Sequence, residues 1–549
     1  MDYNLQPGRV REEQDRILNN NIKPIISIIT PYFNSKKYIE YTANSVLNQT
    51  YPFFEWIIVN DGSTDEESLE KLKEIEKMDS RIHVYHNENH GSAYTRDYGA
   101  SKAADSSKYL VFLDDDDLIN KTYLECAYWT LETNKKASWT YTDTVNFSGT
   151  EYTWVKWFDS EVEKKENLLV ATAMVRKEDF LKVNGYELRE KSVYEDWNLW
   201  LKMLAQGMYP VRMSFLGFWY RRKPVNESEL ARSTNNKEVA MKYIEESAKK
   251  VNKRVEAIQY PKQDYNWDGI VEKVESIIVP NKEENGKINI LMIIPWMVTG
   301  GADKFNLDLI SQLDKNKYNV IIIITEPSTN AWRQEFEEYA TIYDITKFLD
   351  RKYWNAFINY IIESNNINIV FNTNSTFGYA SLPYIKATYP EIPIIDYVHM
   401  EEWYNRNGGF SRDSSTIASV IDKTFVCNNN SEKILVNYFG RKENEVETIY
   451  IGVDEKKFES SKFNKKEILE KYNINCSNKF IVSFIARIDY QKRPFLLVEI
   501  MKKVLKNRDD VFFVIAGDGP LLEELKYKTS KISNNIIFLG RIISRVCSI

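Results

Sequence analysis

Four consecutive aspartates, Asp114, Asp115, Asp116 and Asp117, end an apolar run over residues 109–113. A short apolar run of this kind reads as a buried strand. Like charges packed this closely repel, so the cluster is costly unless a cation or water neutralises it. At the carboxyl end of a parallel strand, where open α/β sheets place their ligands, it suits a divalent metal held on a phosphate. Two plainer readings compete. A calcium loop of EF-hand type starting at Asp114 would end on Glu125, but Leu118 stands where an oxygen ligand is needed and Ile119 where a glycine is needed. A strand also precedes it where a helix should. Capping of a helix from Lys121 is the second rival, and metal–phosphate binding is preferred to both.

Three further groups carry chemistry. Asp61-Gly62-Ser63-Thr64-Asp65 follows a strand-like run and precedes Glu66-Glu67. The glycine permits the turn, and Ser63, Thr64 or Asp65 can cap the helix. Asp61 at the strand tip can accept a hydrogen bond from a nucleobase N–H, although the loop in isolation favours the cap alone. Arg96 lies in residues 89–99, which open the next helix. It faces solvent in the plain reading and reaches nucleotide phosphates beside the aspartates in the functional one, where its fork suits that geometry. Glu195-Asp196 begin the amphipathic helix over 197–204. The helix dipole favours either carboxylate there. Paired with a distant metal site, they supply the carboxylate that takes a hydroxyl proton in group transfer to an alcohol. His83, His86 and His90 have a metal-like spacing for a helix, but 82–86 reads as a strand with 83 and 86 on opposite faces, so a zinc site is discounted.

Strand-like runs at 25–30, 56–60, 82–86 and 109–113 alternate with helical patterns at 35–47, 66–77 and 92–104. That alternation predicts βαβ units and a mostly parallel sheet with its carboxyl-terminal loops on one edge. Residues 150–222 are rich in Trp, Tyr and Phe and read as an irregular, acceptor-facing part of the same domain. A charged amphipathic helix is expected over 236–257, and the polar, turn-rich stretch 280–287 marks a join. A second α/β series follows, with strands at 288–295, 320–325, 367–372, 394–399, 424–427, 480–484, 512–516 and 536–539. The expected organisation is an N-terminal extension (1–22), a first domain (23–235), a helical connector (236–287) and a second module in two halves (288–475 and 476–549).

The 549 residues, 43% hydrophobic and 28% charged, describe a multidomain globular chain. A net charge of -6 argues against nucleic acid as the main partner. Four scattered cysteines, Cys126, Cys427, Cys476 and Cys547, form neither a disulfide framework nor a zinc knuckle. The polar N-terminus lacks a signal-peptide core, and the longest aliphatic runs, such as 320–324, are too short to span a bilayer. A cytoplasmic protein without transmembrane segments is expected, with peripheral membrane contact left open.

Five motifs occur in order: Thr30-Pro31-Tyr32-Phe33-Asn34, Val59 to Asp65, Gly91 to Gly99 with Arg96, Leu113 to Asp117, and Glu195-Asp196-Trp197. Together they resemble family 2 glycosyltransferases of the GT-A fold over residues 23–225. The resemblance implies inverting transfer from a nucleotide-diphosphate sugar to a glycan, lipid-linked or protein acceptor. On it, Thr30 and Pro31 belong to the substrate-binding set, Asp61 contacts the base and Arg96 helps hold the nucleotide. Asp114 lies at the ribose and metal side, Asp115 and Glu195 line the substrate, Asp116 ligates Mg²⁺ or Mn²⁺, and Asp196 is the general base. Without a QxxRW motif or membrane spans, a nonprocessive member fits better than a polymerase. An oxocarbenium-like transition state is expected. Trp154, Trp157, Trp197, Trp200 and Trp219 offer sugar-stacking faces, though most are expected in the core.

In the second module, Thr299-Gly300-Gly301-Ala302-Asp303-Lys304, Val398-His399, Ile451-Gly452-Val453-Asp454, Ala486-Arg487 with Lys492, and Gly517-Asp518-Gly519-Pro520 resemble family 4 glycosyltransferases of the GT-B fold over 288–541. The glycine pair at a strand-to-helix turn lets backbone amides approach an anion. The resemblance implies a double Rossmann module in which Arg487 and Lys492 hold the donor diphosphate and the Gly301 loop lies at the cleft, with retention and no metal. The family's Glu-x₇-Glu segment does not follow 536–539. The donor half is therefore expected to be incomplete and inactive or weak as written, through a stop, a frameshift or completion by a partner chain. The alternative to an enzyme is a non-catalytic carbohydrate-binding or assembly protein built from degenerate transferase modules. A sugar nucleotidyltransferase ranks below both, since the first module lacks a GxGxR loop.

Overall fold

The apolar runs become strands, and the first four of them build the platform for the aspartate tip. A computed structural model describes residues 1–13, 17, 23–186, 194–223, 237–262, 272–457, 459, 464–476 and 479–542. Parts of the expected extension (14–16, 18–22), the end of the expected first domain with the start of the connector helix (224–236) and the tail 543–549 lie outside the described residues. The chain divides into two compact units, Met1–Tyr450 and Ile451–Ile549.

In the first unit, strands β1 (Ile26–Tyr32), β2 (Phe54–Asp61), β3 (Ile82–Asn87) and β4 (Tyr109–Phe112) pair in parallel in the order β3-β2-β1-β4. Every residue of β2 and β4 is buried, so β4 and the centre of β2 (Trp56 to Val59) read as continuous apolar runs instead of alternating ones. Helices α1 (Ile39–Leu47), α2 (Glu66–Glu76) and α3 (Ser92–Lys102) connect them. Gly99 lets α3 lie close against β1: a Cβ there would stand 2.5 Å from Ile29 Cγ2.

The chain then adds β5 (Leu118–Ile119), α4 (Tyr123–Thr133), β6 (Trp139–Phe147), β7 (Tyr152–Trp154), α5 (Ser160–Glu163), β8 (Met174–Arg176), α6 (Lys177–Lys182), α7 (Glu195–Ala205), β9 (Pro210–Arg221), α8 (Lys237–Lys250) and β10 (Ile258–Gln259). The sheet runs β10-β9-β6-β8-β4-β1-β2-β3, with β8 antiparallel to both β4 and β6. The aromatic stretch 150–222 is thus more regular than its composition predicts, and its long strand β9 pairs along all of β6.

A second, wholly parallel sheet follows in the same unit: β11 (Ile288–Ile294), β12 (Tyr318–Ile324), β13 (Thr341–Asp344), β14 (Ile369–Thr373), β15 (Ile394–Val398), β16 (Lys423–Val426) and β17 (Val446–Thr448), ordered β13-β12-β11-β14-β15-β16-β17. One hydrophobic core joins it to the first sheet. Helix α4 makes the join. Trp129 packs edge-on to Phe357 and Tyr360, with centroids 5.1 and 5.2 Å away. The buried Glu125 carboxylate accepts from Thr50 and Tyr360 hydroxyls, each at 2.6 Å, and from Tyr343. Paired this way, a carboxylate that would be costly in a core is satisfied.

The second unit holds a parallel three-stranded sheet, β18 (Phe480–Ile485), β19 (Val511–Ala516) and β20 (Ile536–Gly540), in that order. The architecture is α/β, a mixed GT-A-type sheet followed by parallel sheets consistent with a GT-B module. Among the described residues, no helix is long and apolar enough to cross a membrane.

Candidate active site

The carboxyl ends of β1, β2 and β4 carry the first group of residues. Thr30 is buried, and its hydroxyl accepts from Trp56 Nε1 at 2.8 Å, while Pro31 stands opposite Val59 of β2. The Asp61 carboxylate accepts the backbone N–H groups of His90 (2.8 Å) and Gly91 (2.9 Å), and so fixes the turn into α3. The cap of α2 falls to Asp65, which accepts from Ser68 N–H at 3.0 Å.

The four aspartates are not left to repel one another. Asp114 receives Arg96 Nη2 at 2.5 Å, and Asp116 receives Lys223 Nζ at 2.9 Å. Asp115 receives the Phe33 N–H at 3.4 Å, and Asp117 the Arg221 N–H at 2.8 Å. The Arg221 side chain also donates from Nε to the Asp116 carbonyl at 2.8 Å, and Thr42 Oγ1 donates to the carbonyls of Asp115 and Asp117. Burial, then the neighbouring carboxylates, push the Asp115 and Asp117 carboxyls well up; burial also raises Asp116, against the pull of Lys223. The helix-capping rival fails, because α4 begins at Tyr123 behind Thr122.

Arg96 joins this tip to the second acidic group. Its buried guanidinium donates from Nη2 to Asp114 and from Nη1 to Glu195 Oε1 at 2.6 Å. Ser92 Oγ adds a bond of 2.6 Å to the same Glu195 oxygen. The planar fork of arginine suits two fixed carboxylates at once. Helix α3 therefore ties the end of β4 to the start of α7. Beside Glu195, the Asp196 carboxylate accepts its neighbour Trp197 N–H at 2.8 Å and Asn167 Nδ2 at 3.2 Å. Desolvation and then the Glu195 charge push the Asp196 carboxyl up to about 6.

Several neighbours escaped sequence reasoning. Lys156 is buried over the Trp154 ring (4.3 Å) and within electrostatic reach of Asp143, Asp196 and Glu163; burial pulls its ammonium down to about 7. Glu163 is buried with Oε2 accepting from Leu168 N–H at 3.0 Å, and burial raises its carboxyl. Lys223 and Arg221 were signalled only by the cationic run Arg221-Arg222-Lys223 behind an aromatic strand. Of the tryptophans, Trp197, Trp200 and Trp219 are core, whereas Trp157 is 67% exposed with Arg212 over its ring at 4.6 Å.

Among the described residues, no three His, Cys, Asp or Glu side chains converge as a ready metal cage. Asp114, with 35% of its side chain exposed, and Asp116 form a sparse oxygen donor set. Such a set fits a hard cation that takes its remaining ligands from phosphate and water, as Mg²⁺ does. In the second sheet, Gly301 opens the helix Gly301–Gln312 after β11, and a Cβ there would meet nothing within 4 Å. In the second unit, Arg487 follows β18 and pairs with Asp489 and Gln491, while the Lys492 N–H donates to Asp489 at 3.3 Å. The adjoining turn needs glycine: at Gly517 (φ +138°) a Cβ would overlap the Ala486 carbonyl at 1.9 Å.

The chain carries a glycosyl transferase family 2 domain over residues 27–193 and a glycosyl transferases group 1 region over 464–545. Glu195 and Asp196 lie just past the first match. TuaG of Bacillus subtilis, named for teichuronic acid biosynthesis, is 46% identical over 106 residues, which are 19% of this chain and 41% of TuaG. The glycosyltransferase GlyA of Streptococcus pneumoniae is 39% identical over 103 residues, 19% of this chain and 14% of GlyA. The chain thus spans less than half the length of these curated relatives. Among solved structures, a glycosyltransferase from Rickettsia africae aligns with 47% of this chain and 69% of its own, at 21% identity and a TM-score of 0.40.

Proposed function

We propose that the protein transfers a sugar from a nucleotide-diphosphate donor to an acceptor hydroxyl with inversion, and that the first module performs the reaction. The observation that carries this reading is Arg96, whose two terminal nitrogens hold Asp114 and Glu195 at 2.5 and 2.6 Å. One side chain thereby sets the aspartate tip and the carboxylate pair of α7 at a single site.

In this reading Asp61 and the Thr30–Pro31 end of β1 flank the base and ribose, and Asp115 lies behind them. Asp116 and Asp114 would hold Mg²⁺ or Mn²⁺. The chemistry supplied by such an ion when bound is neutralisation of charge growing on the departing diphosphate. Asp196 takes the acceptor hydroxyl proton onto its carboxylate as that oxygen attacks the anomeric carbon, and the diphosphate leaves from the opposite face. A carboxyl near 6 is matched to that task, being mostly ionised at neutral pH yet basic enough to accept the proton. Glu195 and Arg96 orient α7 for it. The exposed Trp157 offers an apolar face for a sugar ring on the Asp196 side chain's module. Polysaccharide or glycoconjugate synthesis is the proposed setting, supported by the assignment of the B. subtilis relative to teichuronic acid.

The test is release of nucleoside diphosphate from a panel of sugar nucleotides with Mn²⁺. Asp116→Ala and Asp196→Asn are each expected to abolish it. Activity equal to the parent in both variants would refute the assignment, and sugar binding without turnover in the parent would favour a non-catalytic binding protein.

A further inference from the structure

Among the described residues, Arg96, Arg221 and Lys223 stand around the acidic tip, and they are held very differently. Arg96 is fixed by two carboxylates, Asp114 and Glu195. Arg221 is fixed by its backbone N–H on Asp117, by Nε on the Asp116 carbonyl, and by stacking over Tyr38 and Phe147 at 4.4 and 4.5 Å. Lys223 has one carboxylate, Asp116, at 2.9 Å, a more distant face contact with Tyr38 at 5.6 Å, and a side chain that is 27% exposed. It sits two residues beyond the end of β9.

We propose that Lys223 is a placeholder cation on Asp116, displaced when a divalent metal and a diphosphate enter together. This rests on the metal-binding reading of Asp116 given above. A divalent ion on the Asp116 carboxylate stands close to the Lys223 ammonium and repels it, and Lys223, unlike Arg96 on Asp114, has no second carboxylate bond to hold it in place. Metal entry therefore breaks the Lys223–Asp116 pair. Once released, the ammonium stands at the mouth of the tip, where the added negative charge of a diphosphate gives it a new partner. Arg221 cannot make this exchange, since three separate contacts hold it. Two consequences follow. The protein without nucleotide binds metal weakly, because an internal cation competes, and diphosphate raises metal affinity by more than its own ligand oxygens would.

The experiment measures Mn²⁺ binding to the full chain by electron paramagnetic resonance of the free ion, with and without inorganic pyrophosphate as the diphosphate probe. Lys223→Gln is expected to bind Mn²⁺ alone about tenfold more tightly than the parent, a gain near 1.4 kcal/mol. Lys223→Arg, which keeps a cation, is expected to stay at the parent value, and Lys223→Met to follow Lys223→Gln. The rise in Mn²⁺ affinity on adding pyrophosphate should shrink in Lys223→Gln. Equal Mn²⁺ affinity in parent and Lys223→Gln, with binding lost in Asp116→Asn, would overturn the placeholder while leaving the metal site standing. Mn²⁺ binding that is unaffected by Asp116→Asn would overturn the metal reading itself, and the placeholder with it.

Discussion

Substituting Glu195→Gln isolates how the proposed base is tuned. Asp196 lies at about 6, and Glu195 is the largest contributor after desolvation. Glutamine removes that negative charge and keeps an oxygen that can still accept from Ser92 and Arg96. The Arg96 charge, which already lowers the Asp196 carboxyl, then faces one competing carboxylate fewer. Both changes favour the ionised base, so the sign is downward. Two neighbouring charges at an effective dielectric near 20 couple by a few kcal/mol at most; partial exposure and screening reduce this to about 1.4 kcal/mol, or about one pK unit. The acid limb of kcat/KM is therefore expected to bend near pH 6 in the parent and about one unit lower in the variant. At about pH 5 the carboxylate is then about 10% ionised in the parent and about 50% in the variant, so relative activity there rises about fivefold. The assay is continuous nucleoside diphosphate release from about pH 4.8 to about pH 8.5 at constant ionic strength, read as the ratio of kcat/KM at the acid end to that at neutrality. An acid limb that stays put or moves upward in Glu195→Gln would refute the coupling. A parent profile with no limb near that pH would refute Asp196 as the titrating base.

Other outcomes are as specific. Gly99→Ala forces a methyl group into Ile29 and tilts α3 away from β1; it should cost about 1–3 kcal/mol in chemical denaturation and lower kcat more than donor binding, because α3 carries Arg96. Trp129→Ala opens the core between α4 and the rings of Phe357 and Tyr360; a loss of about 3–5 kcal/mol in the unfolding transition of residues 1–450 is expected, and separate melting of the second sheet in the parent would contradict a shared core. Asp65→Ala removes the α2 cap and should lower the urea midpoint without changing the pH profile.

Much of the first sheet was legible because β1, β2 and β4 are buried on both faces and so stand out as largely apolar runs with few polar interruptions. The antiparallel half was not, for the same reason in a different guise. Strand β6 (WTYTDTVNF) is wholly buried, but its apolar residues lie on one face only, that face is broken at Asp143, and the other carries Thr and Asn, so the sequence does not announce a strand buried on both sides. Strands β8, β13 and β17 have three, four and three residues, too few for any period to register. At the site, the acidic groups were legible because clustered carboxylates demand an explanation. Their counter-charges were not. Lys223 meets Asp116 across more than a hundred residues of sequence, and nothing in the spacing of β9 says which cation will face which carboxylate.

The division of labour among those cations follows from their chemistry. Four aspartates at one strand end need positive charge in order to fold, yet a tip meant for a phosphate-bound metal must also release some of it. Guanidinium groups suit the permanent share. Their flat forks make two directed bonds each, and breaking one partner of a buried pair costs about 3–5 kcal/mol. Arg96 is bound in that way, and Arg221 is held by one Nε bond to the Asp116 carbonyl and by the rings of Tyr38 and Phe147. An ammonium on a flexible stem is a point charge with one hydrogen-bonded carboxylate here, and it has fewer directed bonds to give up than the Arg96 fork. The sequence reading gives Arg96 a phosphate contact. Its two short bonds to Asp114 and Glu195 also make it a strut between the tip and α7, so a diphosphate arriving there meets a braced guanidinium beside the more loosely held Lys223.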